Sequence, residues 1–470
     1  MVQRKKLPEH ALRQFVLSSN GKRKLKNNPK VEEATRKNRF KKRTDREPET
    51  WHARFRRILS CLGIAFGACI VLLILFFISI QTWPAFGAQG ADFLRGIIGD
   101  QAVAGLEMDF NQVQDTIQKL KYQSGLEKPV APWTILPASA QTLVPTTTST
   151  ESGTFTPAIQ TLEAFQTTPT PAVMNPPEPT YTPTPSSWPP VALTALGTAP
   201  GEGVWSAYIQ DTQGYTVAYR TFLQPDPTRP YTLVAVVAID LTRTRLHFVL
   251  GTIEPASPIA TPDAATRSGA IPAADRVANV LLAAFNGGFK ARHGEFGAMA
   301  DGVTALPPKD GLGTVAIYTS GIVRLGEWGA AMSLTPDMVA FRQNGPLVIQ
   351  QGKVNPRIYD NSPQDWGYTV NDVSPTVRSG IGLSRDEKTL FYFCGPSLSM
   401  EALAQTMQAA GTWNAIQLDI NNYWTLFVKF QPSGSKLIPE PLLPQLMVAN
   451  VERYLWNYSR DYFYITSATR

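Results

Sequence analysis

The stretch AAFNGGFK, residues 283–290, places an apolar run directly before an amide, two glycines, an aromatic ring and a cation. This pattern predicts a buried strand that continues into a binding loop. Gly287 and Gly288 let the backbone adopt positive φ and approach a ligand closely. Asn286 and Lys290 offer donors to an oxygen-rich group such as a phosphate or a sugar. A tight turn between two strands explains the same residues.

The charge of the chain is concentrated at its N-terminus. Residues 1–57 contain 19 Lys and Arg against 6 Asp and Glu, a net charge of +13, whereas the whole chain of 470 residues carries +7. The remaining residues therefore carry −6. A basic tail is typical of nucleic-acid-binding proteins, so the residues that follow it decide how it is interpreted.

Residues 58–80 form a run of 23 residues without a formal charge. As a helix with a rise of about 1.5 Å per residue, this run spans roughly 35 Å, enough to cross a bilayer. Basic residues before such a segment stay in the cytoplasm. We therefore expect a single-pass signal anchor in the plasma membrane, with residues 1–57 inside, the C-terminal domain outside and no nucleic-acid partner. A cleavable signal peptide is the alternative, but the apolar run is long for one.

Two further segments precede the folded domain. Residues 88–125 are expected to be helical and amphipathic, because apolar residues recur at spacings of three and four over 91–122. That face could bind a protein partner, lie on the membrane surface or self-associate, and the pattern does not choose. Residues 126–200 contain 15 prolines and many Ser and Thr. This composition is typical of a disordered, extended stalk.

Residues 201–470 have the composition of a globular domain. Short β-branched and aromatic runs bounded by turn residues predict strands, the clearest at 234–239, 246–250, 315–318, 346–349 and 390–393. A helix is expected from Ser399, the N-cap, to Gly411, the C′ residue. Strands outnumber helices, so the predicted fold class is α+β with mixed sheets. Cys394 is the only cysteine of this domain, which excludes an internal disulfide.

Common hydrolase motifs are absent from the domain. It has no G-x-S-x-G elbow and no H-E-x-x-H pair, and its only histidines are His247 and His293. The domain therefore offers few residues for a Ser–His nucleophile or a zinc site. His247 lies within a predicted strand, where we expect a structural role, and no metal or cofactor is predicted.

Polar residues recur instead beside predicted strands. Arg342 precedes the strand at 346–349, and Arg378 and Ser379 precede the strand at 390–393. A guanidinium group binds phosphate through two parallel hydrogen bonds. A surface ion pair accounts equally well for either arginine.

The stretch IQLDINNYW, residues 416–424, follows the predicted helix and contains Asp419, Asn421 and Asn422. It offers one carboxylate and two amides at the end of a short apolar run. A hairpin at the two asparagines is the alternative, because Asn tolerates left-handed backbone geometry.

Taken in order, four features resemble the phosphodiester glycosidase family over roughly residues 230–430. They are the Asn-Gly-Gly-Phe loop at 286–289, the Arg-Ser-Gly-Ile-Gly stretch at 378–382, the helix ending at Gly411, and Leu418-Asp419. The eukaryotic member of this family is the uncovering enzyme, which removes N-acetylglucosamine from mannose-phosphate diesters. The family usually follows its Leu-Asp with glycines and a serine, whereas Ile420 and two asparagines follow here.

The resemblance implies a hydrolase that cleaves a sugar-1-phosphodiester. The leaving group is a phosphate monoester with a second pKa of about 6, so it needs less general-acid help than an ordinary glycoside, which needs two carboxylates. Asp419 would activate water or stabilise an oxocarbenium-like transition state. Asp301 is the candidate second carboxylate, although a simple turn explains it equally well. Arg378, with Lys290 or Arg342, would neutralise the departing phosphate.

The remaining predicted substrate-binding residues are Asn286, Gly287, Gly288, Ser379, Asn421 and Asn422. Together these features lead us to expect a membrane-anchored, extracytoplasmic phosphodiester glycosidase that acts on envelope or exopolysaccharide glycopolymers. The alternative is a non-catalytic glycopolymer-binding or envelope scaffold module on the same fold. The missing glycines after Asp419 favour that alternative.

Overall fold

The computed structural model describes residues 84–133, 188–256, 267–360, 365–367, 375–434 and 436–468, with scattered residues between 51 and 79. The chain divides into two units, Met1–Ile78 and Ser79–Arg470. In the first unit the described residues are helical. Among the described residues, no helix is both long and apolar enough to cross a bilayer. Most of the basic tail at 1–57 and more than half of the predicted anchor at 58–80 lie outside the described residues, and both stay predictions.

Two helices precede the domain, α1 at Pro84–Ile98 and α2 at Asp100–Gln123. They correspond to the amphipathic segment predicted at 88–125, although α1 begins a little earlier. Gly99 joins them with a φ of 86°, a conformation that glycine adopts without strain. Arg95 of α1 donates to Glu107 of α2 at 2.6 Å. The two helices therefore form a hairpin, which we call the helical hairpin.

The domain itself is built mainly of strands, and the one α-helix among its described residues is α3, Met400–Ala409. The strands are β1 Ser206–Gln210, β2 Thr216–Leu223, β3 Val234–Asp240, β4 Thr244–Val249, β5 Leu281–Asn286, β6 Ala298–Ala300, β7 Val303–Leu306, β8 Gly313–Tyr318, β9 Val323–Glu327, β10 Met338–Gln343, β11 Ile349–Gln350, β12 Lys353–Val354, β13 Thr376–Leu383, β14 Thr389–Leu398, β15 Asn414–Gln417, β16 Phe427–Ser433, β17 Lys436–Pro441 and β18 Tyr462–Ser467. Short 3₁₀ turns lie at Ala291–His293, Pro356–Tyr359 and Arg453–Leu455.

These strands form three sheets. The largest has the order β1-β2-β3-β14-β13-β15-β11-β12, the second β17-β16-β5-β18-β4 and the third β7-β6-β10-β8-β9. Within the described residues, every pair of named strands is antiparallel. The α+β class is confirmed, but the sheets are antiparallel rather than mixed. Neighbours such as β13 and β14 follow each other through a few residues, and so short a connection joins only antiparallel strands.

The largest sheet is buried on both faces. Odd-numbered residues of β3, such as Val237, contribute to a core shared with β5 and β18. Even-numbered residues, such as Val236, contribute to a second core shared with α3. Since successive side chains of a strand point to opposite faces, burial of both faces explains why residues 234–239 are continuously apolar.

The predicted helix is confirmed as α3. The Ser399 hydroxyl accepts a hydrogen bond from the backbone N–H of Ala402 at 3.1 Å, which is the N-cap contact expected of serine. Gly411 has a φ of 78° just after the helix ends, as expected of a C′ glycine. Leu403 and Met407 are fully buried against the largest sheet.

Two predicted loop and strand assignments are wrong. Residues 378–382 precede the strand β14 as expected but lie within a strand of their own, β13, and of residues 346–349 only Ile349 is in a strand. The glycines obscured β13 in the sequence because they interrupt its apolar pattern. Packing requires them: a Cβ at Gly380 would lie 2.2 Å from the Cε of Met407.

Both ends of the predicted stalk pack on the domain. The Trp133 ring packs edge-on against the Phe222 ring, with their centres 6.1 Å apart. The Trp188 ring packs edge-on against the Tyr219 ring, with their centres 5.3 Å apart. The folded domain therefore includes residues 188–200, which the composition assigned to the stalk. Both of these contacts are made to β2. The central part of the predicted stalk, residues 134–187, lies outside the described residues.

Candidate active site

The side chain of Asn286 joins the end of β5 to its neighbours. Its amide nitrogen donates to the Ser379 hydroxyl at 3.0 Å, and its amide oxygen accepts from the Tyr392 hydroxyl at 2.9 Å and from the Leu426 N–H at 3.2 Å. Only 4% of Asn286 is exposed. Since both amide atoms bond to protein groups, Asn286 aligns strands rather than reaching outward to a substrate.

Three segments far apart in sequence meet at Asp419. The Ser379 hydroxyl donates to the Asp419 carbonyl at 2.7 Å. The Asp419 N–H donates to the Gly287 carbonyl at 3.0 Å. The structure thus brings together Asn286, Gly287, Ser379 and Asp419, which the sequence analysis selected from separate motifs.

The Asp419 carboxylate forms an ion pair with Arg460. Its Oδ2 accepts from the Arg460 guanidinium, and its Oδ1 accepts from the Ile420 N–H at 2.9 Å. The two side chains are 10% and 6% exposed. Burial raises the pKa of Asp419, and the charge of Arg460 opposes that rise. Arg460 also donates to the Gly288 carbonyl at 2.9 Å, so it ties the carboxylate to the glycine loop.

The two glycines of that loop are needed for space and not for backbone conformation. Neither has a positive φ, contrary to the prediction. A Cβ at Gly287 would lie 2.2 Å from the Asp461 carboxylate, and one at Gly288 would lie 2.9 Å from the Arg342 guanidinium. Contacts this short force a neighbour to move. The loop is also not a tight turn between paired strands, because β5 and β6 belong to different sheets.

Arg342 and Asp461 fix this glycine loop through hydrogen bonds. The Arg342 Nε donates to Asp461 at 2.8 Å, its NH2 donates to the Phe289 carbonyl at 2.6 Å, and the Gly288 N–H donates to Asp461 at 3.0 Å. Both charged side chains are 0% exposed. Asn344 adds a hydrogen bond from the Phe289 N–H at 2.9 Å. This geometry gives Arg342 a bracing role and argues against the predicted contact with phosphate.

Arg378 is likewise buried, and it points away from Asp419. Its Nε donates to the Leu398 carbonyl at 2.9 Å, and its NH1 donates to the Trp366 carbonyl at 3.2 Å. Both partners belong to the α3 side of the largest sheet. Ser379, the next residue, faces the other side. The predicted phosphate contact of Arg378 is therefore not supported by its position.

Two further cations lie beside the site, the largely buried Lys290 and the more exposed Arg292. Asp92 of α1 lies between them, with its carboxylate 2.5 Å from the Lys290 Nζ and 2.6 Å from Arg292. Burial lowers the pKa of Lys290, and the hydrogen bond to Asp92 opposes that effect. Burial works to raise the pKa of Asp92, but the hydrogen bond and charge of Lys290 outweigh it and the pKa is lowered.

Trp424 connects these cations to the Asp419 pair. The Lys290 Nζ lies 4.9 Å from the centre of the Trp424 ring, and the Arg460 Cζ lies 4.7 Å from it. Both distances are within the range of cation–π attraction. The site therefore consists of a buried carboxylate, a half-buried indole and two cations, Lys290 and Arg292, that are paired with Asp92.

His293 lies beside the same cations. Burial and the charge of Arg292 lower the pKa of His293 to about 3. Its ring is therefore neutral at physiological pH and adds no positive charge. The His247 ring, by contrast, stacks on the Tyr464 ring within the second sheet, with their centres 4.4 Å apart. This is the structural role expected of it.

The other predicted site residues lie at turns. Asn421 has a φ of 83°, and its side chain accepts from the Tyr423 N–H at 3.1 Å. Asn422 is half-buried in the same turn. No hairpin forms here, because β15 and β16 belong to different sheets. Asp301 is exposed in the β6–β7 turn with a φ of 51°, at the opposite end of β6 from Ala298, which pairs with Arg342. The structure does not bring Asp301 to Asp419.

The sequence analysis missed several members of the site: Asp92, Asn344, Trp424, Arg460 and Asp461. Arg460 and Asp461 carried one usable signal, since two opposite charges directly precede three consecutive aromatic residues at 462–464. A charged pair at the entry of a buried strand must be satisfied by other groups of the protein. Nothing in the sequence indicated that its partners would be Asp419 and the glycine loop.

Residues 279–436 match the family model described as phosphodiester glycosidase. The resemblance expected from the sequence is confirmed over this range, which contains Asn286, Ser379 and Asp419 and ends before Arg460. This stretch of the chain is therefore similar to the phosphodiester glycosidase family. No curated protein matches the chain.

The solved structures that are similar to this chain include the following three. The catalytic domain of zebrafish N-acetylglucosamine-1-phosphodiester alpha-N-acetylglucosaminidase, auto-inhibited by its pro-peptide, matches with 13% identity and a TM-score of 0.34, covering 57% of this chain and 88% of that one. A hypothetical protein from Synechocystis matches with 11% identity and a TM-score of 0.29, over 56% and 62%. A putative exported protein from Burkholderia pseudomallei matches with 11% identity and a TM-score of 0.25, over 50% and 74%. Likenesses this weak carry no conclusion about activity.

Proposed function

We propose that the chain is a membrane-anchored, extracytoplasmic hydrolase that cleaves a sugar-1-phosphodiester, with envelope or exopolysaccharide glycopolymers as its substrates. The observation that carries the proposal is the meeting of three family motifs at one buried carboxylate. Asn286, Ser379 and Asp419 are linked by hydrogen bonds of 3.0 and 2.7 Å. Two cations, Lys290 and Arg292, lie nearby. A carboxylate and separate cations are what cleavage of an anionic glycoside requires.

In this mechanism Asp419 acts at the anomeric carbon. Its carboxylate removes a proton from the attacking water or stabilises the oxocarbenium-like transition state. Arg460 keeps the carboxylate in place through their ion pair. Ser379 and Gly287 fix the backbone of Asp419 through its carbonyl and N–H, so the reacting oxygen is positioned before substrate arrives.

The departing phosphate is assigned to Lys290 and Arg292. Both form ion pairs with Asp92. A phosphate oxygen in place of the Asp92 carboxylate would accept the same hydrogen bonds. A phosphate monoester leaves readily because its second pKa is about 6. In this mechanism neutral His293 is not the proton donor, and the positive charges of Lys290 and Arg292 assist departure of the phosphate.

The membrane location rests on the sequence. Residues 58–80 lack formal charge and follow a tail of net charge +13, which supports a single-pass anchor with the domain outside the cell. An enzyme in this position would meet glycopolymers of the envelope rather than cytoplasmic sugar phosphates.

A non-catalytic glycopolymer-binding or scaffold module is the second candidate. One observation favours it: both carboxylate oxygens of Asp419 already bond to protein groups, Ile420 and Arg460. The glycines that usually follow the aspartate in the family are replaced by Ile420, Asn421 and Asn422. Such a module would hold the polymer at the same site without cleaving it.

Turnover separates the two candidates. The full-length chain in detergent is incubated with a panel of sugar-1-phosphodiesters, and release of free sugar is measured. We expect hydrolysis that Asp419→Asn reduces by about 10³-fold, the usual size of a general-base effect. Asp301→Asn is the matched control, because that carboxylate is exposed in a turn, and it should retain full activity. Polymer binding without release of sugar, unchanged by Asp419→Asn, supports the binding module instead.

A further inference from the structure

Arg220 of β2 lies between two aromatic rings near the β1 edge of the largest sheet. Its guanidinium carbon is 4.4 Å from the centre of the Trp133 ring and 4.5 Å from the centre of the Tyr208 ring. Both distances are within the range of cation–π attraction, and a planar guanidinium stacks readily on aromatic rings. The two rings therefore fix the position of the charged group without supplying the oxygen acceptors that its N–H groups bind.

The position of Arg220 in the sheet is unusual for a charged side chain. It pairs with Val237 of β3, and Val237 faces the core between the largest and the second sheet. Residues directly opposite each other on neighbouring strands share a face, so half-buried Arg220 faces the same core. Its Nε is buried and has no hydrogen-bond partner among the described residues, which also place no carboxylate in an ion pair with it. The chain thus holds a desolvated cation without a counter-ion of its own.

A second cation reaches the same Tyr208 ring from the second sheet. The Nζ of Lys429, on β16, lies 4.9 Å from the centre of that ring, and only 16% of the Lys429 side chain is exposed. Glu440 of β17 pairs with Lys429 at 3.2 Å, but its side chain is 43% exposed. Burial lowers the pKa of Arg220, and the neighbouring Tyr208 and Glu440 oppose this effect only in part. One exposed carboxylate therefore serves two largely buried cations where the two sheets meet.

We propose that Arg220 and Lys429 form an anion-binding site beside Tyr208, and that its ligand is a phosphate group. A buried charge without a partner destabilises the fold, and a bound anion removes that cost. A guanidinium donates parallel hydrogen bonds to phosphate oxygens, and the ammonium of lysine adds a point charge. The site shares no residue with the one at Asp419, so it does not depend on the proposed hydrolase activity.

Protection of Arg220 from chemical modification tests the site. The full-length chain in detergent is labelled with phenylglyoxal, which modifies arginine, in inorganic phosphate or in sodium chloride of equal ionic strength. Mass spectrometry of the peptides reads each arginine separately. We expect phosphate to slow the labelling of Arg220 and to leave that of Arg324, an exposed arginine of β9, unchanged. Labelling of Arg220 that does not respond to phosphate, including no labelling at all, would overturn the inference.

Removal of the second cation tests whether both cations bind the same phosphate. Lys429→Gln should raise the phosphate concentration that half-protects Arg220 on the order of tenfold, the effect of one charge-assisted hydrogen bond. Lys353→Gln is the matched control, because Lys353 is an exposed lysine of β12, and it should leave that concentration unchanged. Equal half-protection concentrations in Lys429→Gln and the wild-type chain would contradict a site formed by two cations.

A phosphate polymer identifies the source of the ligand. The same protection is measured with a poly(glycerol phosphate) oligomer at matched total phosphate. Protection of Arg220 at a lower phosphate concentration than inorganic phosphate requires would assign the site to a polymer chain. Protection by inorganic phosphate alone would assign it to the free ion.

Discussion

Asp419 and Arg460 show how burial and pairing act on one side chain in opposite directions. Burial disfavours the charged carboxylate and raises the pKa of Asp419, whereas the adjacent guanidinium favours the charge. Because burial prevails, the carboxylate takes up a proton at a higher pH than an ordinary aspartate, whose pKa is about 3.9. A catalytic carboxylate must be ionised to act as a base, so the acidic limit of activity reports this pKa.

Arg460→Gln should therefore move the acidic limit of activity to higher pH. Removing the guanidinium removes the cation that opposes the effect of burial, so the pKa of Asp419 rises further. The measurement is kcat/KM as a function of pH for the wild-type and variant chains. Arg324→Gln, an exposed arginine on β9, should leave the profile unchanged. An Arg460→Gln profile with the wild-type acidic limit would show that Asp419 is not the titrating group.

Gly288→Ala should destabilise the domain. Its Cβ would lie 2.9 Å from the Arg342 guanidinium and 3.0 Å from the Asn344 side chain, and both groups are fixed by other hydrogen bonds. Overpacking of this kind costs about 1–3 kcal/mol. Urea unfolding measures the change. Gly96→Ala in α1, where no atom lies within 4 Å of the added carbon, is the control and should be neutral or slightly stabilising. Equal stability of the two variants would contradict the requirement for glycine at 288.

Among the secondary-structure elements, the apolar pattern predicted the strands and the helix that form because their side chains are buried in the core. Residues 234–239 and 390–393 form β3 and β14 as expected, and α3 begins and ends at its predicted caps. The stretch at 378–382 was not predicted as a strand, because its glycines follow from tertiary contacts that no local pattern reveals. The candidate site was predicted in part for the same reason. Asp419 lies in a motif, whereas Arg460 reaches it only through the pairing of β18 with β5.

The helical hairpin also acts on the site, because α1 places Asp92 between Lys290 and Arg292. Asp92→Asn should strengthen binding of phosphate at these cations, since the competing negative charge is removed. A charge-assisted hydrogen bond contributes about 1.5 kcal/mol, so the inhibition constant of inorganic phosphate should fall on the order of tenfold. Asp100→Asn, which alters another acid of the hairpin near Arg95, is the control. An unchanged constant in Asp92→Asn would mean that phosphate binds elsewhere.

For the whole molecule, the contacts on β2 change the meaning of the Pro-rich segment. The composition predicted a stalk that holds the domain away from the membrane. Trp133 and Trp188, on either side of residues 134–187, instead contact Phe222 and Tyr219 of the same strand, β2. The residues on both sides of this segment thus pack on the domain, and the helical hairpin is attached to the domain by contacts of its own.

Cleavage within residues 134–187 should therefore not release the domain. A protease site is inserted after residue 160 of the full-length chain, and the cleaved protein is separated by size in detergent. We expect both fragments to co-elute, because Asp115 binds Arg229 and Tyr231 and because Trp133 packs on Phe222. Asp115→Ala removes one pair of contacts and should speed dissociation, whereas Asp109→Ala, at an exposed position of the same helix, should not. If the fragments of the cleaved chain without further substitutions separate immediately, the result would support the predicted stalk. Only the covalent chain would then hold the domain to the helical hairpin.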